Sequence, residues 1–474
     1  MTVSPGVAAG HPSTAAAGAE IIARDGSAAD AAVAMVLVSC AAETIFTGLS
    51  GGGFATYYDA TRRETTCVDF FVSVPGLGGR PLGPGVPIEV TLAGHQVPYD
   101  IGPSTVAVPG VPAGTRHIWQ RWGRMSWADV VAPGLQASFG TPLPAAHAAL
   151  LPVIAPAMCV GDGARVYRRP DGSYLNAGDP LFHWDHHRAY QLLMEQPEAF
   201  YTGEFAETMV ASVADGGAMD VADLAAYEVV ETVPRTVDVH GFSVSARGDD
   251  LDDVLGTLVC AAERVTGDPV LDQAAALALV DALRGPAGRA ETTNIVAVDH
   301  QGNACAVTTS LGLGSGVWVP GFGVHLNSML GEGELVRELL PAGVRMGSMM
   351  SPLIALDPDG ELALAAGAAG GSRIRPALVQ CVLRIFAGEH PQAAIDAPRL
   401  TALPGLVRAE PGFADGVLAA LERAGNTVTV ASRRDSYFGG VSAIGVAGGG
   451  ADPRRSGEFR SVPKVEGGRL TPAS

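Results

Sequence analysis

The tetrapeptide Glu291-Thr292-Thr293-Asn294 holds residue types suited to covalent chemistry. A threonine hydroxyl is a poor nucleophile unless a base stands beside it. That base can be the residue's own α-amine, if the chain is cut just before it. A free α-amine titrates near about 7.7–8.0, which suits proton transfer at neutral pH. Such a threonine belongs at the start of a strand, after a link that can be severed. Thr292 follows the turn-rich link Gly285-Pro286-Ala287-Gly288-Arg289-Ala290. A hairpin turn centred on Gln301 would set Val298 opposite Ala304, and Thr292 opposite Ser310. A helix opened by Gly370-Gly371 would offer free N–H groups able to hold an oxyanion. On these residues alone, the favoured reading is that Thr292 and Thr293 simply cap an ordinary strand.

Three other constellations weigh less. Gly48-Leu49-Ser50-Gly51-Gly52 has the G-x-S-x-G form of a nucleophile elbow. That elbow needs a strand before the serine and a helix after it, and here the order is reversed. The glycines read instead as a tight turn with close backbone packing. His183-Trp184-Asp185-His186-His187 fits no zinc spacing and reads as a solvated helix start. The glycine sets near residues 51–53, 312–316 and 370–371 lack the pattern of a phosphate cradle. No metal and no organic cofactor is expected.

The elements that position these residues follow from periodicity. Helices are expected within residues 13–43, the second capped by Ser27 with Asp30 in its first turn. Phe54–Tyr58 and Thr65–Phe71 read as a hairpin. Residues 72–110, rich in Pro and Gly, read as loop. Residues 111–235 read as mainly helical, with Trp127–Ser138 and Ala189–Glu195 clearest. Residues 236–247 read as strand, and Leu251–Thr266 and Leu271–Arg284 as helices. Asn294–Val298 and Ala304–Ser310 form one later hairpin. Leu353–Leu356 and Glu361–Ala365 form another, followed by a helix from Ser372 to about Phe386. This is a layered α+β pattern.

Composition narrows the function. The 474 residues carry 31 basic and 49 acidic side chains, for a net charge of −18. An acidic surface disfavours nucleic acid and anionic membranes as partners. The one lysine is Lys464, so Schiff-base and Ser–Lys chemistry in the core is disfavoured. Six scattered cysteines without a CxxC pair read as reduced, buried hydrophobes. The first residues show no basic n-region and no apolar h-region, and no apolar run is long enough to span a bilayer. The expectation is a cytoplasmic protein acting on a small molecule.

Many ordered motifs then resemble one family. They include Gly10-His11-Pro12, Gly26-Ser27-Ala28-Ala29-Asp30, Thr47-Gly48-Leu49-Ser50-Gly51-Gly52-Gly53-Phe54 and Val108-Pro109-Gly110. Trp127 to Pro133, Ala199-Phe200-Tyr201-Thr202-Gly203, Thr292-Thr293-Asn294, Ser348 to Pro352 and Ala369-Gly370-Gly371-Ser372-Arg373 continue the series. Together they resemble the γ-glutamyltransferase family of N-terminal-nucleophile (Ntn) hydrolases, over most of the chain. The resemblance implies an αββα sandwich and self-cleavage between Glu291 and Thr292. The products would be a large subunit, 1–291, and a small subunit, 292–474, held together as a heterodimer. Thr292 would be the nucleophile, Ser310 its neighbour, and the N–H groups of Gly370 and Gly371 the oxyanion hole. No cofactor is implied.

The implied substrate site departs from the family pattern. Transpeptidases of the family hold the glutamyl α-carboxylate with an arginine, and Phe71 occupies that place here. The usual threonine is Ser310, and the asparagine two residues on is Gly312. The Asn-x-Gln-x-x-Asp segment reads Asn327-Ser328-Met329-Leu330-Gly331-Glu332, and the serine pair reads Ser348-Met349. Phe71, Met329 and Met349 would make the pocket more apolar, with Glu332 or Arg247 as candidate replacements for the lost clamp. The stretch between Val244 and Thr292 also lacks the family's Pro-Ser-Ser-Gly-Gly segment. The expectation is a Thr-dependent acyl hydrolase or acyltransferase of specialised metabolism, not specific for glutathione. Removal of an oxalyl-type acyl group by C–C cleavage of a proline-derived antibiotic precursor is one alternative. A genuine γ-glutamyl enzyme and an uncut, non-catalytic binding homologue are two others.

Overall fold

The computed structural model describes residues 2–92, 95–285, 292–333, 335–336 and 340–463. Two sheets stack face to face, with helices on both outer sides.

The first sheet has seven strands, all paired antiparallel. Their order is Glu458–Ser461, Gly6–Ala9, Thr293–Val298, Ala304–Ser310, Gly52–Asp59, Glu64–Phe70 and Val230–Thr232. The second has six: Gly448–Ala451, Gly440–Gly445, Leu362–Ala369, Leu353–Leu356, Phe242–Ala246 and Arg235–Val239. Each sheet draws strands from both sides of Thr292.

Alternation along Thr293–Val298 sorts side chains between layers. Val296 and Val298 face the second sheet, beside Ile354, Ala365 and Ile444. Ile295 and Ala297 face the other way, into a core shared with helices α1 (Pro12–Ala23) and α2 (Ala28–Ala42). All fifteen residues of α2 are buried, as its apolar circumference requires. Ser27 and Asp30 close a capping box at its start. Beyond the second sheet, Val254–Arg264, Gln273–Leu283 and Ile374–Phe386 form the other helical layer. The layers are therefore helix, sheet, sheet, helix, a mixed α+β sandwich.

Three expectations are corrected. Residues 72–110 are not all loop: Val86–Leu92 and His95–Ile101 pair as an antiparallel hairpin. Pro87 and Pro98 disguise it. A two-stranded sheet has open edges, so a missing N–H costs little there. Residues 236–247 are two strands joined by a tight turn, with His240 at φ 54°. His183 and His186 are buried, at 5% and 2% exposure, and only the residues around them face water. Their rings stack on each other 4.9 Å apart, and the His183 ring also meets Trp318. Aromatic packing won over polar composition.

The remaining elements lie close to expectation. Asn294–Val298 begins at Thr293 and Ala304–Ser310 keeps its bounds. The helix after Gly370 opens with a short 3-10 turn, Gly371–Arg373.

Candidate active site

Thr292 stands one residue before its strand and is 1% exposed. The register is Thr293 opposite Thr309 and Val298 opposite Ala304, as a turn centred on Gln301 requires. Asn294 locks this start, donating from Nδ2 to Val307 O and Thr308 Oγ1, both at 3.0 Å.

Two backbone amides converge on the Thr292 hydroxyl. Gly370 N donates to Oγ1 at 3.1 Å and Gly371 N at 3.4 Å. Gly370 has φ 123° and Gly371 φ 60°. Only glycine adopts the first without strain, and that turn aims both N–H groups at one point. A pair of fixed N–H groups on one oxygen is the arrangement that stabilises developing negative charge. On the other side, the Thr292 carbonyl accepts from Arg455 Nη1 at 3.1 Å. The Arg455 guanidinium lies over the Phe46 ring, 4.5 Å from its centre.

A small pocket opens beside Thr292. Phe71, Ser310, Met329, Glu332, Ser348, Met349 and Gly371 line it with the threonine. Nine of the eleven residues expected at the site thus meet in one place or touch Thr292 directly. Leu335, Met350 and Ile374 complete the wall. Among the described residues of this wall there is no arginine or lysine.

The wall is held from behind. Glu332 Oε1 accepts from Tyr99 OH at 2.7 Å. Tyr99 OH also shares a hydrogen bond with Ser328 Oγ and accepts from Leu313 N. Burial and the neighbouring carboxylate push the Tyr99 phenol well above its ordinary value. Ser310 Oγ accepts from Gly312 N at 3.0 Å, a turn contact that orients the hydroxyl. The Phe71 ring packs against Phe54 at a tilt, centres 5.3 Å apart.

Gly312 and Asn327 lie outside this lining. A Cβ on Gly312 would meet Glu332 Oε1 at 2.6 Å and Tyr99 OH at 2.7 Å. Asn327 is fully buried, donating to Ser50 O and Ala107 O and accepting from Ala107 N. It ties two loops together. Arg247 is not in the lining either, but it backs it: Nη1 donates to Ser348 O at 3.4 Å, with the guanidinium 3.6 Å above the Phe54 ring and paired with Asp249 at 2.8 Å. Ser50 is buried and donates to His325 O at 2.5 Å, so its hydroxyl is engaged in backbone. Glu291 lies outside the described residues. Among the described residues, no three His, Cys, Asp or Glu side chains are grouped to hold a metal ion. Among them no helix is long and apolar enough to cross a membrane.

Residue types alone did not single out Tyr99, Leu335, Met350, Ile374 or Arg455. The alternation Ile88-Glu89-Val90-Thr91-Leu92 was a usable signal for the hairpin that carries Tyr99.

The chain has relatives among known proteins. The chain is 26% identical to the glutathione hydrolase proenzyme of Bacillus subtilis strain 168, over 89% of this chain and 84% of that protein. It is 27% identical to the acylase ACY 1 proenzyme of Pseudomonas sp. strain V22, over 92% of this chain and 89% of that protein. The crystal structure of cephalosporin acylase from Bacillus halodurans superposes with a TM-score of 0.78 at 21% identity, covering 98% and 97% of the two chains. That likeness establishes the Ntn-hydrolase sandwich. Residues 14–249 and 268–462 match the γ-glutamyltranspeptidase family model, so the chain belongs to this family of Ntn-hydrolase enzymes.

Proposed function

We propose that this protein is a self-processing acyl hydrolase or acyltransferase whose nucleophile is Thr292. The bond between Glu291 and Thr292 is cut, which frees the Thr292 amine and leaves pieces 1–291 and 292–474 associated. The amine then takes the hydroxyl proton as Oγ1 attacks a substrate carbonyl. The proton passes to the leaving group, and water or an amine takes the acyl group from Oγ1. The N–H groups of Gly370 and Gly371 hold the developing oxyanion, and Ser310 stands beside the amine.

The observation that carries this reading is the convergence of two glycine amides on one strand-terminal hydroxyl. The acyl group accepted is apolar. The wall of Phe71, Met329, Leu335, Met349, Met350 and Ile374 supports this. A γ-glutamyl α-carboxylate asks for a cation, and a bidentate arginine is among the stronger polar contacts a site can offer. The kinship to proteins named acylases agrees with an acyl side chain as substrate.

Intact mass of the freshly purified protein tests the reading. The expected result is two chains, one beginning at Thr292. Thr292→Ala is expected to remain a single chain without turnover. A stable uncut wild-type chain, or a Thr292→Ala variant that still turns over acyl amides, would overturn it.

A further inference from the structure

Thr293 points away from the site, and that is where a buried carboxylate meets it. Its Oγ1 donates to Glu43 Oε2 at 2.6 Å. The other carboxylate oxygen accepts from Thr14 Oγ1 at 2.8 Å. Glu43 is 1% exposed.

The placement of Glu43 is costly. It caps the C-terminus of α2, where the helix dipole already carries partial negative charge. Burial opposes its ionisation and raises its pKa, while the two hydroxyls and the charge of Arg455 act the other way. Arg455 also holds the Thr292 carbonyl. The chain is tight here: a Cβ on Gly10 would lie 3.0 Å from Glu43 Oε2 and 3.2 Å from Thr293 Oγ1.

We propose that Glu43 is a positioning residue for Thr292, acting through the Thr293 hydroxyl. The proposal rests on Thr292 being the nucleophile. Once the preceding bond is cut, Thr292 is a chain end with no residue before it to fix its backbone. Strand ends fray. Alternation sends residue 292 to the glycine amides and residue 293 to the opposite face. A grip on 293 therefore anchors the strand end without obstructing the site. Arg455 grips the carbonyl between them. Nucleophile geometry is sensitive, since a displacement of about 1 Å can cost roughly 100-fold in rate. Glu43 and Thr14 lie before the cut and Thr293 after it, so the contact also fixes one piece against the other.

The test uses the full chain and p-nitrophenyl butyrate as probe. Self-cleavage is followed by intact mass, and kcat and KM are read on cut protein well below its melting temperature. Thr293→Val is expected to slow both cleavage and kcat by about 10–100-fold, with KM within about threefold of wild type. Thr293→Ser keeps the hydroxyl and is expected to restore most of the loss. Glu43→Gln is expected to lower kcat about tenfold at unmoved KM, because an amide has one oxygen where the carboxylate offers one to each of the two hydroxyls. Adding Glu43→Gln to Thr293→Val is expected to cost little more, since the two act as one contact.

Wild-type kcat in Thr293→Val, or losses that multiply in the double variant, would overturn the proposal. Should Thr293→Val not fold, Glu43→Gln decides alone: an unchanged kcat overturns the proposal and a selective kcat loss supports it. Thr292→Ala separates the two claims. Turnover in Thr292→Ala defeats the nucleophile assignment. A dead Thr292→Ala beside a fully active Thr293→Val defeats only the positioning role.

Discussion

The start of the Thr293–Val298 strand and the wall of the neighbouring pocket are built in opposite ways. The strand start is held chiefly at its main-chain atoms, with Thr293 on Glu43 as a side-chain grip. Register, two glycine amides and an arginine on a carbonyl hold Thr292 with main-chain atoms on most sides. The wall is made of side chains. Phe71 comes just after a strand, Met329 and Glu332 from the two ends of a short 3-10 turn, and Ser348, Met349 and Met350 from a loop. Backbone geometry survives most substitutions, and side-chain identity does not. A scaffold of this kind can keep one chemistry while its acyl specificity changes.

Changes that break the strand-start side should abolish turnover of every acyl class together. Gly370→Ala is expected to have the largest such effect after loss of Thr292. An alanine at φ 123° is strained, and its Cβ would sit 3.2 Å from Gly439 Cα. Losing one donor of an oxyanion hole costs about 10²–10³ in kcat. The check is kcat on apolar and γ-glutamyl p-nitroanilides, with both expected to fall alike.

Changes to the wall should instead alter the ratio between substrates. Phe71→Arg is expected to raise the preference for a γ-glutamyl over a butyryl anilide by about 10–100-fold in kcat/KM, through a new carboxylate contact. An unchanged ratio would mean that Phe71 does not face the acyl group. Met329→Ala should weaken apolar acyl groups by roughly tenfold in kcat/KM and leave the cutting rate untouched.

Acid should act on stability through buried histidines. His183 and His325 both pack against the Trp318 ring, and burial lowers their pKa to about 4 and about 3. Both are neutral in the fold, while the unfolded chain takes up protons below about 6.5. Their contribution to stability is therefore intact above pH 6.5. It drains as pH falls from 6.5 toward 4, and for His325 toward 3. The melting temperature is expected to drop between pH 6.5 and 4.5. A flat profile over that range would contradict the buried, neutral state of this pair.

The smallest effect is expected at Ser50. Ser50→Ala removes one buried hydrogen bond, to His325 O. It should cost about 1 kcal/mol of stability and leave cutting and kcat at wild-type levels. Loss of turnover would instead revive the serine at the centre of Gly48–Gly52.

What was legible in the sequence follows the same division. The hairpin through Gln301 could be counted, because side-chain period and turn length fix register. Thr293 opposite Thr309 follows from that arithmetic. The helices of residues 12–42 showed in caps and apolar runs. The wall showed only in part, since loops carry no period that tells which side chain points inward. Tyr99 stayed hidden because prolines masked its hairpin. Buried His183 and His186 stayed hidden because their polar letters suggest water, and only tertiary stacking reveals otherwise. Glu43 and Thr293 lie 250 positions apart, beyond any local pattern.

The interleaving of strands in both sheets bears on how this protein can be handled. Gly6–Ala9 is inserted between Glu458–Ser461 and Thr293–Val298, and Ala304–Ser310 is zipped to Gly52–Asp59. Folding of the intact chain is a first-order process. After a cut before Thr292, regaining the same sheets from denatured pieces becomes second-order and competes with aggregation of unpaired strand edges. Under the proposed cut, the peptide link would act as an internal template that is used once. Recovery after heating should then depend on protein concentration in the mature form and be independent of it in Thr292→Ala.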